Sequence, residues 1–144
     1  MSTLANSALL QNIRVMVDSL NSTLSTSLSK AADGVNAIAR RNLSGAKNAE
    51  PWSYPVPRRS GGLLLNQKAQ RTTPANPFTA YVFNLAGYAG AVHSGVVNEW
   101  AGRGKTRTRI KADGRPFIDD AAAEYQPLMV IQRDLEQGWI PLWT

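Results

Sequence analysis

Few residues in this sequence could carry chemistry, and their spacing works against each reaction they suggest. His93 is the one histidine and there is no cysteine, which excludes ordinary zinc sites, thiolate nucleophiles and disulfides together. A serine nucleophile would have to take His93 as its base, yet no Gly-x-Ser-x-Gly elbow occurs. Gly102-x-Gly104 lacks the rest of a dinucleotide fingerprint. Gly104-Lys105-Thr106 has Glu99 where a phosphate-binding loop needs its first glycine. The adjacent carboxylates Asp119 and Asp120 would point apart on a helix, and they suit the positive end of its dipole better than shared acid–base work. The expectation is a protein without catalytic activity, metal or cofactor. A hydrolase built around His93 is the enzymatic alternative.

The remaining chemistry is charge. The chain carries a net charge of +6 with a pI of about 10.1, which favours acidic or polyanionic partners without choosing between them. From Arg103 onward the sequence changes character. Lys105, Arg107, Arg109 and Lys111 fall on every second residue, with Thr106, Thr108 and Ile110 between them. In a strand this alternation puts the four cations on one side. Gly102, Gly104 and Asp113-Gly114 supply turns at either end. The segment reads as an exposed basic ribbon, because like charges this close are not buried unpaired.

These residues need a frame, and 144 residues with 43% apolar content suffice for a core. The expected fold class is α+β. A long N-terminal helix packs on a small antiparallel sheet, followed by an extended basic β-hairpin and a C-terminal helix. All belong to a single domain over 1–144. Residues 1–45 form the first helix: Leu9, Ile13, Val17, Leu20, Leu24, Leu28, Ala31, Val35 and Ile38 recur at spacings of three and four, with Ser, Asn and Thr opposite. Gly34 is a candidate break, and Ser44-Gly45 a stop. Such a helix either covers the sheet or is shared with a neighbouring subunit, and Leu20, Leu24 and Leu28 are the interface candidates.

Residues 46–62 are a connector in which Pro51, Pro55 and Pro57 exclude regular helix. Its Trp52 and Tyr54 either pin the loop to the domain or dock a partner. The β-rich part spans 63–115, with strands expected over Leu63–Thr72 and Phe78–Leu85 around a Pro-Asn-Pro turn. Ala86 to Val97 is expected to form a short helical turn or tight crossing. In 116–144, Pro116 opens a helix from Phe117 to about Gln137, Pro127 kinks or divides it, and Gly138 ends it. Trp139, Ile140, Leu142 and Trp143 then form an apolar tail that either folds back or binds; Trp139 and Trp143 are interface candidates.

The order of these segments resembles a known family. The helix leads to Ala39-Arg40-Arg41-Asn42, then to the basic-Ser-Gly-Gly-Leu junction at Arg58–Leu63 and an aromatic strand. Tyr88-Ala89-Gly90-Ala91-Val92-His93-Ser94-Gly95, a basic hairpin and Arg115-Pro116-Phe117-Ile118-Asp119-Asp120-Ala121 follow. The sequence resembles the tail-completion, or minor tail component, proteins of long-tailed bacteriophages. In that family a Thr-Gly-x-Leu junction, a Tyr-Ala-x-x-Val-Glu-x-Gly-Thr segment and a Pro-Phe-Leu-x-x-Ala helix start occur in the same order. The likeness runs from about Leu9 to Leu135. His93, Ser94 and Val96 depart from the pattern, standing where an acid, an aromatic and a threonine are usual. The Trp-rich end has no counterpart.

The resemblance implies a non-catalytic subunit of a hexameric ring in the neck of the virion, assembled in the host cytoplasm. Its partners would be further copies of itself and the adjacent neck, connector and tail-tube proteins, and DNA would pass through the channel. Arg103, Lys105, Arg107, Arg109 and Lys111 would meet an acidic surface of an adjoining ring, with transient contact to genomic DNA as an alternative. A small nucleic-acid-binding protein is the competing reading; no aromatic interleaves the basic run to stack on bases. No stretch approaches the apolar length of a membrane span, and no basic segment precedes an apolar one as in a secretion signal.

Overall fold

The computed structural model describes residues 3–45, 61–94, 96–100, 106–110, 114, 116 and 117–143. Helix α1, Thr3–Asn42, runs unbroken for 40 residues, about 60 Å at 1.5 Å per residue. It contains no proline. Arg40 and Arg41 lie in its last turn, where cations suit the negative end of the dipole. It closes where the Leu43 amide donates to both the Ala39 and Arg40 carbonyls, at 3.1 Å each.

After α1 come one helical turn α2 (Gly62–Leu65), strands β1 (Gln67–Gln70) and β2 (Tyr81–Asn84), and helix α3 (Ala89–Ser94). Strands β3 (Val96–Trp100) and β4 (Thr106–Ile110) follow, then α4 (Phe117–Tyr125), α5 (Pro127–Asp134), a π-helical turn over Leu135–Trp139 and α6 (Ile140–Trp143). The class is α+β, mostly helical, with β1 paired to β2 and β3 antiparallel to β4.

Contacts divide the chain into two compact units. One holds Met1–Ala32, Gln70–Tyr81 and Gln126–Thr144; the other holds Asp33–Ala69 and Val82–Tyr125. The second contains the main core. Leu43, Leu63, Ala89 and Phe117 are buried together, and Val35, Ala39 and Ala121 form an adjoining cluster, with Ile118 packed against both. Beneath them lies an amide chain. Gln67, 1% exposed, donates from Nε2 to Asn36 Oδ1 at 3.2 Å and accepts from Asn84 Nδ2 at 3.0 Å. Asn84 Nδ2 also donates to the Leu63 carbonyl at 2.7 Å, and Asn84 Oδ1 accepts from the Ala86 amide. Every buried amide atom named here has a partner, as burial requires.

Several expectations need correction. Gly34 does not break α1, because the Tyr125 ring occupies the space a β-carbon would take, and packing at that point offsets the glycine's weak helix propensity. Leu63–Thr72 is not one strand: Gly61 adopts a positive φ of 78° and starts the α2 turn, leaving only Gln67–Gln70 extended. The second strand shrinks from Phe78–Leu85 to Tyr81–Asn84. Val96 and Val97 open β3 rather than close a crossing.

The Pro127 division is as expected. Gln126 takes φ 55°, ψ 63°, and a residue before proline is driven from the right-handed helical region. Gly138, however, does not end the helix. The extra residue is absorbed by the π turn, and Ile140–Trp143 remain helical, so the apolar end is not an irregular tail.

Candidate assembly interface

In the first unit, hydroxyl side chains of α1 carry the polar contacts to the rest of the unit. Ser25 and Ser29 each lie within 2.8 Å of Thr72 Oγ1, and the Thr72 amide donates to Ser29 Oγ. Ser27, 2% exposed, donates to Asp134 Oδ2 at 2.8 Å, and Lys30 Nζ stands 3.4 Å from Asp134 Oδ1. The Ser27 hydroxyl, aided by Lys30 and Arg133, holds the Asp134 carboxyl below the usual carboxylate range. A cleft of about 460 Å³ opens beside this clamp, lined by Ser22, Thr26, Ser27, Lys30, Asp134 and Gly138 among others. A carboxylate so committed to its donors is a poor proton acceptor, so the clamp is built to hold α5 against α1.

The apolar side is open only over its N-terminal part. Asn6 to Val15 are exposed on every face of α1, and Leu9 (57%), Ile13 (42%) and Val17 (44%) of the expected stripe face solvent. Leu20, Leu24 and Leu28 are half-buried. The bare part of this face lies nearer the N-terminus than Leu20, Leu24 and Leu28. The spacing rule reports which side is apolar and says nothing of where the cover stops. On the C-terminal helices of the same unit Leu128, Met129, Leu142 and Trp143 are exposed. Trp139 is half-buried, and its indole N–H is buried without an acceptor among the described residues. Patches of this kind on a small chain mark interaction sites.

The basic segment is described only in part. Arg107 and Arg109 lie on β4, whose register sets Glu99 opposite Arg107 and Val97 opposite Arg109. Arg103, Lys105 and Lys111 fall outside the described residues, as does the connector with Trp52 and Tyr54. Residues 101–115 hold six cations and one acid, so nearly all of the chain's net charge of +6 is concentrated there.

His93 Nε2 lies 3.5 Å from Asp119 Oδ2, with its ring edge-to-face on Phe117 at 5.5 Å. Ser94 Oγ donates to the Gly90 carbonyl at 2.8 Å. This pairs the α3 histidine with an acid at the start of α4. Among the described residues no three His, Asp or Glu side chains are grouped to hold a metal ion. No described helix is long and apolar enough to cross a membrane. Compared with protein families, curated proteins and solved structures, the chain has no match in any of the three.

Proposed function

We propose that this chain is a structural subunit that works by joining: a tail-completion or neck protein of a long-tailed bacteriophage, forming a hexameric ring between head connector and tail. The observation that carries the proposal is the exposed apolar stretch of α1, with Leu9, Ile13 and Val17 facing solvent. Apolar side chains exposed together along one helix call for another protein surface. The segment order set out above supports the phage reading. The apolar C-terminal helices supply a second exposed surface for a further protein contact. On this reading the long helix packs on the small sheet, the basic hairpin extends as an arm toward an acidic face of the adjoining ring, and the subunit has no catalytic role. It assembles in the host cytoplasm and resides in the virion.

Light scattering and electron microscopy of the chain mixed with the products of its neighbouring genes test this. Rings are expected, and those genes should encode portal, capsid and tail-tube proteins. A chain that stays monomeric in the mixture overturns the proposal. The second reading, a nucleic-acid-binding module, is favoured by the concentration of charge in residues 101–115. Tight binding to duplex DNA that survives mild salt would promote it.

A further inference from the structure

We infer that the free end of α1 packs against the same segment of a second copy of the chain, side by side and in parallel register, with Leu9, Ile13, Val17 and Leu20 as the seam. This packing presupposes the self-assembly proposed above and gives it a contact surface.

Four features of α1 specify the occupant. The stripe is periodic: the spacing Leu9–Ile13–Val17–Leu20 repeats as Leu20–Leu24–Leu28–Ala31. An 11-residue repeat keeps an apolar seam on one side of a nearly straight or slightly right-handed helix. Two copies in register therefore match along the whole seam, whereas a heptad-based partner drifts out of phase.

The segment is also nearly free of charge. Between Thr3 and Ser29 only Arg14 and Asp18 are ionised; they are opposite in sign, four residues apart and off the stripe. Identical surfaces brought together meet no like-charge repulsion on the seam. The same scarcity disfavours other occupants. A phosphate backbone would find no cation on the stripe. An anionic lipid surface would lack the Lys- and Arg-rich polar face that holds interfacial helices.

Third, the line of the stripe continues to Asn6, three residues before Leu9 and itself exposed. An amide carries both donors and acceptors, so Asn6 can pair with its own counterpart. A single asparagine on an otherwise apolar seam is the usual device for fixing register and subunit number. Lastly, the flank bearing Ala8 and Asn12 is exposed, small and uncharged, which permits close approach of a neighbouring helix.

The test uses the absence of cysteine from the natural sequence. In the full chain, Ile13→Cys and Gln11→Cys each introduce one thiol, the first on the seam and the second on the far side. With a short bismaleimide, Ile13→Cys is expected to give at least fivefold more covalent dimer. Ile13→Asp is expected to reduce the assembly to monomer in light scattering while leaving the thermal midpoint within a degree or two. Equal linking by the two thiols in an intact assembly overturns the parallel seam and leaves the ring reading standing. A purified natural chain that is monomeric at high concentration also overturns the seam, and the ring is then judged by the mixture with neighbouring neck proteins. Intact assembly in Ile13→Asp is the third result that refutes it.

Discussion

The Tyr125 ring lies directly on Gly34, so close that a β-carbon at position 34 would overlap it. This contact ties α4 to the C-terminal part of α1 inside the second unit, beside the Val35, Ala39 and Ala121 cluster. Gly34→Ala tests its weight. Alanine gains about 1 kcal/mol of helix propensity, but displacing a packed ring costs roughly 1–3 kcal/mol. The net expectation is a loss of stability in urea unfolding. Adding Tyr125→Ala removes the clash, so the double variant should lose less than the sum of the singles, a coupling of at least about 0.5 kcal/mol.

The Ser27–Asp134 clamp should show in the pH dependence of stability. The Asp134 carboxyl is lowered in the folded state, chiefly by the Ser27 hydroxyl. Its contribution is therefore fully present above the unfolded carboxylate value near pH 4 and is lost as pH falls through the lower folded value. Asp134→Asn should flatten that part of the acid limb, and Ser27→Ala should cost about 1–2 kcal/mol at neutral pH. Thermal unfolding between pH 2 and 7 measures both; identical acid limbs for the natural chain and Asp134→Asn would remove the clamp from the account.

The long α1 helix was legible because spacings of three and four persist over four turns or more, and the α4–α5 division because Pro127 removes a backbone donor. The buried amides were not, since Gln67 and Asn84 carry no periodic signal and their burial depends on the partner each finds across the fold. Nor was the π turn, which one surplus residue creates without a compositional mark. The spacing of three and four puts Leu20, Leu24 and Leu28 on one apolar face. The barer Leu9, Ile13 and Val17 stand out only once the reach of the C-terminal helices is known.

Asn84 joins three partners, the Leu63 carbonyl, Gln67 and the Ala86 amide. Asn84→Ala would leave these groups unpaired; a buried orphan costs about 1–3 kcal/mol, and in this half-buried site water recovers part of the loss. A destabilisation on the order of 2–3 kcal/mol is expected in denaturant unfolding. A change below about 0.5 kcal/mol, the scale of ordinary surface substitutions, would show that water replaces the network at no cost.

Replacing Lys105, Arg107, Arg109 and Lys111 together by alanine removes four of the six net charges. Ring formation through α1 should persist, while attachment to the adjoining ring should weaken at least tenfold and lose most of its salt dependence. Calorimetric titration across a salt series reads this. If the natural chain instead binds duplex DNA with a slope of about 0.9 log units per phosphate contact, the arm's partner is nucleic acid.

The π turn at Leu135–Trp139 has a consequence of aim. It amounts to one residue more than an α-helix would hold, and one residue is worth about 100° of rotation about the axis. Deleting Gly138, whose position is open on the β-carbon side, would leave the composition of the helix end almost untouched. It would nonetheless swing Ile140, Leu142 and Trp143 to a different side. The direction in which this chain presents its last tryptophan is thus set in part by a residue count.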